Sequence, residues 1–169
     1  FLVWGAQLET SSYPTSYIAT TTTAVTRNAD YLTAGDMVTD AAGSGYAEAS
    51  TNWQVGAFYR SVLVRNYPNL ILFASAGPPT TILTTEQTNQ SVATGTSMYN
   101  APQSLASTWG NNLTAYYNGI PDATPNAYDG TFGTGPLRIG TAGNAQWDGT
   151  IREVKIFNSE LTAAEVADL

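Results

Sequence analysis

The sequence predicts an all-β fold: a sandwich of short strands with a short C-terminal helical turn. Three observations carry that expectation. Apolar runs are short and separated by turn clusters at sandwich-like spacing. Threonine dominates the polar residues, 25 of 169, and its β-branched side chain favours strands; ten Tyr and four Trp point the same way. Charged residues make up only 11% of the chain, against about 25% in ordinary soluble domains. The surface polarity therefore falls to Thr, Ser, Asn and Gln. With 43% hydrophobic residues, disorder is excluded. The length is that of one domain, able to bury roughly 70% of the surface its unfolded chain exposes.

The elements follow in order. Residues 1–9 (FLVWGAQLE) open as a strand in progress, so the chain is expected to be a piece of a longer polypeptide. Residues 1–23 are read as an N-terminal strand, linker or arm from an upstream module, and 24–169 as the sandwich. The apolar start, Phe1 to Trp4, should contact a neighbour rather than water. Tyr17 to Arg27 is Thr-rich and extended, and Gly35 to Gly45 reads as a loop. Gly45 to Ser50 is a strand. Ala57 to Val64 and Leu70 to Ala74 form a hairpin about Asn66-Tyr67-Pro68-Asn69, and Thr80 to Thr85 is a further strand. Thr88 to Gln103 is polar and reads as a long loop. Ser104 to Trp109 and Leu113 to Tyr117 are strands about Gly110-Asn111-Asn112, and Asn118-Gly119 is a hairpin turn. Ile120 to Gly135, rich in Pro and Gly, reads as a long surface loop, with Leu137 to Gly140 a short strand after it.

The last strand, Ile151 to Phe157, alternates imperfectly, as a strand buried on both faces or carrying a bulge does. Thr162-Ala163-Ala164-Glu165 is a capping box, with Leu161 and Val166 as its hydrophobic staple.

Composition also removes function classes. With no Cys and no His, thiolate nucleophiles, Ser–His–Asp catalysis and His-ligated zinc are excluded. Six basic against thirteen acidic residues, net −7, argue against nucleic acid and against an anionic membrane surface as partners. No stretch has the apolar length to span a bilayer as a helix.

Two segments resemble known families. Trp147-Asp148-Gly149, the strand Thr150 to Phe157, Asn158, and then Leu161-Thr162-Ala163-Ala164-Glu165 resemble the closing segment of concanavalin A-like, laminin G-like jelly rolls. Leu113 to Gly119 resembles that family's hairpin, Pro136 to Gly140 its next strand and Ser107-Thr108-Trp109 its strand ending in Trp. The resemblance covers about Tyr31 to Leu169 and implies an antiparallel two-sheet jelly-roll sandwich of the concanavalin A-like type. The N-terminal stretch, Val3 to Glu9 with Pro14 to Ile18 and Ala24 to Asp30, resembles a linker of bacteriophage and prophage structural proteins that precedes a laminin G-like domain. It implies a virion module, of a tail fibre or decoration protein, located on the virion surface or extracellularly. Its partners would be a glycan or polysaccharide and other copies of itself or other virion proteins. A purely structural self-assembly or decoration domain is the alternative, and a glycoside hydrolase or polysaccharide lyase fragment a remote one, because the same family includes such enzymes, pentraxins and lectins.

Catalysis is not expected. Glycosidases of related jelly rolls carry alternating carboxylates on one strand face, whereas Glu48 is alone on its strand, and Arg152 and Glu153 read as a structural pair. Carbohydrate binding needs an aromatic face with amides beside it; Tyr67, Tyr99, Asn100, Asn126 and Tyr128 are the candidates, against the plainer reading that each Tyr covers a sheet edge or a neighbouring protomer. No cofactor is expected beyond a possible calcium ion. The resemblance implies a rim site for it, for which Asp122, Asn126, Asp129 and Asp148 are candidates, against the plainer reading that these acids form turns. Trp4, Trp53, Trp109 and Trp147 are assigned to the core or to subunit contacts, and Arg27 with Asp30 to a structural pair.

Overall fold

The computed structural model describes residues 19, 22–25, 32–52, 59–66, 69–75, 80–85, 89–95, 97–130, 132–141 and 146–169. The chain divides into two compact units, Phe1–Asp30 and Tyr31–Leu169. Trp4, Trp53, Tyr67, Arg27 and Asp30 lie outside the described residues.

The second unit is an antiparallel jelly-roll sandwich. Its strands are β1 (Leu32–Ala34), β2 (Gly43–Thr51), β3 (Tyr59–Asn66), β4 (Asn69–Ser75), β5 (Thr80–Thr85), β6 (Gln90–Gly95), β7 (Gln103–Trp109), β8 (Asn112–Tyr117), β9 (Ile120–Pro121), β10 (Asn126–Ala127), β11 (Leu137–Ile139) and β12 (Gly149–Phe157), followed by helix α1 (Ala163–Ala167). One sheet has the order β1-β11-β3-β4-β5-β6; the other has the order β10-β8-β7-β2-β12, with β9 beside β8.

Strand alternation puts a layer of side chains between the sheets. The second sheet contributes Ala47, Ala49, Leu105, Leu113, Ala115 and Tyr117; the first contributes Val62, Leu63, Ala93 and Leu137. Trp109 and Phe132, both fully buried, fill one end of this layer edge to face, with ring centroids 5.1 Å apart. The small residues have a packing role: a Cβ on Gly95 of β6 would overlap the ring of Tyr117 across the core.

Two predicted loops are partly strands. Thr88 to Gln103 contains β6, paired along its length with β5. It reads as loop because its inward residues, Ser91 and Ala93, are too small to mark an apolar face. Ile120 to Gly135 contains β9, β10 and the buried Phe132. The hairpin turn before it is as predicted: Asn118 and Gly119 both have positive φ, 49° and 74°, the geometry of a primed turn.

The irregular last strand is bulged. Its register against β2 slips between Ile151 and Glu153, and the extra residue turns Ile151, Val154 and Ile156 all toward the core. Gly149, where the strand begins, lies so close to the Ser50 carbonyl of β2 that no Cβ fits.

Helix α1 closes the outer face of the second sheet, where Tyr46, Ala106 and Tyr116 pack beneath Val166, Leu161 and Leu169. The capping box is present: the Glu165 N–H donates to Thr162 Oγ1, and Thr162 N–H donates back to Glu165 Oε2 at 2.8 Å. That backbone bond, with the Thr162 hydroxyl bond, lowers the Glu165 pKa.

Candidate functional site at the sandwich rim

At the far end of β2, backbone bonds draw three separate segments together. Thr51 N–H donates to the Met98 carbonyl at 2.9 Å, Asn100 N–H to the Thr51 carbonyl at 2.9 Å, and Asn52 N–H to the Asp148 carbonyl at 3.1 Å. Thr51 also bridges Tyr99 in parallel. Met98 anchors the loop by burying its side chain in the core. Because the main chain holds these segments, the side chains of Asn52, Tyr99 and Asn100 stay exposed. Tyr99 is 37% exposed. Asn100 takes the left-handed conformation (φ 51°), which Asn tolerates better than most residues. Asn52 points its amide to Asp148 Oδ1 at 3.4 Å. An exposed phenol ring with two amides and a carboxylate is a chemistry suited to hydroxyl-rich ligands: the ring takes a C–H face, and the polar groups exchange hydrogen bonds.

Of the sequence-predicted residues, Tyr99, Asn100 and Asp148 come together here. Asn52 joins them unforeseen, since nothing in the sequence places it beside Asp148. The other candidates lie elsewhere. Tyr128 is half-buried rather than exposed: its hydroxyl donates to the Asp40 carbonyl at 2.6 Å, and its ring leans on Phe132 at 5.2 Å. Asn126 gives its amide to the Gln90 carbonyl. Tyr67 lies outside the described residues.

The calcium candidates are not assembled into one site. Asn126 sits opposite Leu113 at one end of the second sheet, and Asp148 adjoins Thr51 and Asn52 at the other. Asp129 is exposed beside Tyr128. The Asp122 carboxylate accepts from Ser91 Oγ at 2.8 Å, from Val92 N–H at 2.9 Å, and from the Thr124 N–H and hydroxyl. Burial alone would raise its pKa, but those four donors outweigh it, and the net shift is downward. Among the described residues no three His, Cys, Asp or Glu side chains gather where a metal ion could be held.

The charges on β2 and β12 are paired locally. Glu48 and Glu153 are cross-strand partners on β2 and β12. Arg152, the extra residue of the bulge, reaches Glu48 at 3.1 Å and not its neighbour Glu153; Glu153 takes Lys155 at 3.2 Å instead. Lys155 also lies 5.1 Å from the Tyr46 ring centroid. Burial raises the Tyr46 pKa, opposed by that ammonium.

The topology and core define a β-sandwich of the jelly-roll class. Residues 15–167 match the family described as the concanavalin A-like lectin/glucanases superfamily, of laminin G type. The chain belongs to that superfamily. Similar solved structures include domain 4 of an extracellular arabinanase from Geobacillus stearothermophilus in complex with arabinotriose (17% identity, TM-score 0.56, 82% of this chain and 71% of that one). A native heptameric SAP-like pentraxin from Limulus polyphemus is also similar (11%, 0.58, 78% and 72%), as is Trypanosoma rangeli sialidase in complex with the inhibitor DANA (13%, 0.56, 76% and 22%). The chain thus spans about a fifth of the sialidase's length. At these identities the likeness is one of fold. Among curated proteins none matches the sequence significantly. No described helix is long and apolar enough to cross a membrane.

Proposed function

We propose that the chain is a non-catalytic glycan-binding module of a virion surface protein, and that it holds sugar at the rim built from Tyr99, Asn100, Asn52 and Asp148. The observation that carries this reading is the rim itself. Main-chain bonds assemble it from three loops and leave an aromatic ring and amides open to solvent. Sugar complexes of similarly folded proteins, with arabinotriose and with sialic acid, add weight. The virion setting is supported by the resemblance of residues 3–30 to phage linkers. The non-catalytic character is supported by the ion pairing of Glu48 and Glu153, which leaves each carboxylate tied to a base. Individual contacts of this kind are weak, and many copies on one particle would multiply them.

A glycan array followed by titration of the best ligand tests the proposal. Binding should fall roughly tenfold or more in Tyr99→Ala, the loss of about 1.4 kcal/mol of stacking, with no release of reducing ends from the bound polysaccharide. Silence of the folded chain across a broad array defeats the glycan reading, and turnover defeats the non-catalytic one. Mass spectrometry of purified particles from a lysogen carrying the gene checks the virion placement.

A further inference from the structure

A second concavity lies away from the rim, on the outer face of the second sheet beside the C-terminal segment. It is open to solvent, with a volume of about 440 Å³, within the range of small-ligand sites. Its floor is the cross-strand pair Thr108 and Thr114, with Tyr116 next to them on the same face. Asn111, Asn112 and Glu160 line its sides.

The carboxylate of Glu160 is fixed in place. Its Oε2 accepts from the Asn111 N–H at 3.0 Å and from the Asn111 amide at 3.3 Å. The approach is possible because residue 110 is glycine; a Cβ there would collide with that oxygen. Glu160 Oε1 takes no hydrogen bond from a described residue, and neither the Thr108 and Thr114 hydroxyls nor the Asn112 amide has such a bond. Four polar groups without partners among the described residues therefore line one depression: Thr108 and Thr114 nearly buried in its floor, Asn112 exposed at its side, and Glu160 a pre-positioned acceptor. Polar groups so gathered are built for bonds the protein itself does not make. No described Lys or Arg lines the basin, and the chain carries a net charge of −7, so an anionic ligand would meet Glu160 uncompensated.

We infer that this basin is a second binding site, for a neutral polyhydroxylated ligand of one or two sugar rings. Glu160 Oε1 accepts from a ligand hydroxyl, and Asn112 with the two threonine hydroxyls completes the set. The site is separate from the rim. Ser44, which pairs with Thr108, and Thr51 at the rim lie seven residues apart on β2, roughly 24 Å at about 3.4 Å per residue. One chain would then grip a polymer at two points.

The test is a titration of the whole chain, followed by backbone amide NMR, with arabinotriose, glucose and N-acetylglucosamine as neutral probes and sialic acid as the anionic one. Neutral probes should shift the amides of 108, 111–114 and 160–162 as a set distinct from 98–100; sialic acid should leave that set still. Asn112→Ala and Glu160→Gln should each weaken the basin set about tenfold and leave the rim set unchanged, with Tyr99→Ala doing the converse. Glu160→Gln also touches the β7–β8 turn, whereas Asn112 is exposed and its side chain bonds to no described residue, so its variant reads the ligand alone. Stillness of the basin amides with every neutral probe, or shifts that Asn112→Ala does not weaken, overturns the inference. Either result leaves the rim reading to be judged by its own amides.

Discussion

The two ends of the second sheet are held by opposite means. At the end where β2 begins, side chains hold the backbone. Arg65, 5% exposed, bonds Asp36 at 2.8 Å and Asp40 at 2.5 Å. Trp109 Nε1–H donates to the Thr39 carbonyl at 2.8 Å, and the Tyr128 hydroxyl to the Asp40 carbonyl. The Arg65 guanidinium Nη1 and Nη2 groups, the Trp109 indole and the Tyr128 hydroxyl are all taken up in fixing residues 36–40, Arg65 Nε alone among the guanidinium nitrogens having no described partner. At the end where β2 finishes, backbone holds backbone across Thr51, Asn52, Met98, Asn100 and Asp148. The lesson is one of allocation: a loop pinned by its own ladder leaves its side chains for recognition, and a loop pinned by side chains leaves little.

Substitutions at the pinned end should therefore cost stability. The largest effect is expected of Trp109→Ala, which empties a fully buried site packed edge to face on Phe132 and removes the Thr39 tether. About 3–5 kcal/mol should be lost, read from the midpoint of urea unfolding at unchanged slope. Arg65→Lys comes next. An ammonium cannot span two carboxylates as the planar guanidinium does, so one charge-assisted bond goes, about 1.5 kcal/mol. An Arg65→Lys variant as stable as the parent would mean that the two aspartates do not hold the loop, and the contrast between the ends would fail.

Much of this architecture is legible in the sequence, for reasons that differ by element. The hairpins at Asn66 to Asn69 and Asn118-Gly119 announce themselves through turn residues that fix local conformation, and the C-terminal cap through Thr162 and Glu165, three positions apart. The β12 bulge shows as a broken alternation. β6 is hidden because its neighbour Tyr117 fills the space, so the strand needs Ser91, Ala93 and Gly95, residues that look like loop. Phe132 is hidden among glycines. The rim is half legible: Tyr99 and Asn100 stand out in a polar stretch, but Asn52 reaches Asp148 only through pairing across 96 positions. Tyr128 misleads because its partner is a backbone carbonyl, which no side-chain pattern reveals. The basin is illegible because Glu160 meets Asn111 across 49 positions, through a backbone N–H as well as an amide, which no local pattern reveals.

Between the ends, Asp122 ties the two sheets together. Its carboxylate accepts from the Ser91 hydroxyl on β6, and Ser91 Oγ in turn accepts from Ala115 N–H on β8 at 2.9 Å. The folded-state pKa of Asp122 is lowered. Its contribution is therefore fully present above the ordinary carboxylate value and lost as pH falls through the lower, folded one. Asp122→Asn should cost about 1 kcal/mol at neutral pH, because the amide nitrogen cannot accept from Val92 or Thr124. The gap to the parent should close as the pH falls below the carboxylate range, where the parent too is neutral. Unfolding curves at neutral and acid pH check this; a gap that does not change with pH refutes the role of charge.

The finest separation between the ends comes from Asn100, where conformation and recognition meet in one residue. Its φ of 51° costs a side chain with a Cβ about 1 kcal/mol unless it is Asn, Asp or Gly. Asn100→Ala removes the amide and adds that strain; Asn100→Gly removes the amide and relieves it. The Ala variant should lose about 1 kcal/mol of stability and the Gly variant less than about 0.5 kcal/mol, while glycan affinity falls by the same factor in both. Thermal melts and titrations on the same two proteins decide it. If affinity follows stability instead, falling in Ala and surviving in Gly, then the loop's shape and not the Asn100 amide makes the contact, and the rim recognises sugar through Tyr99 and Asn52 alone.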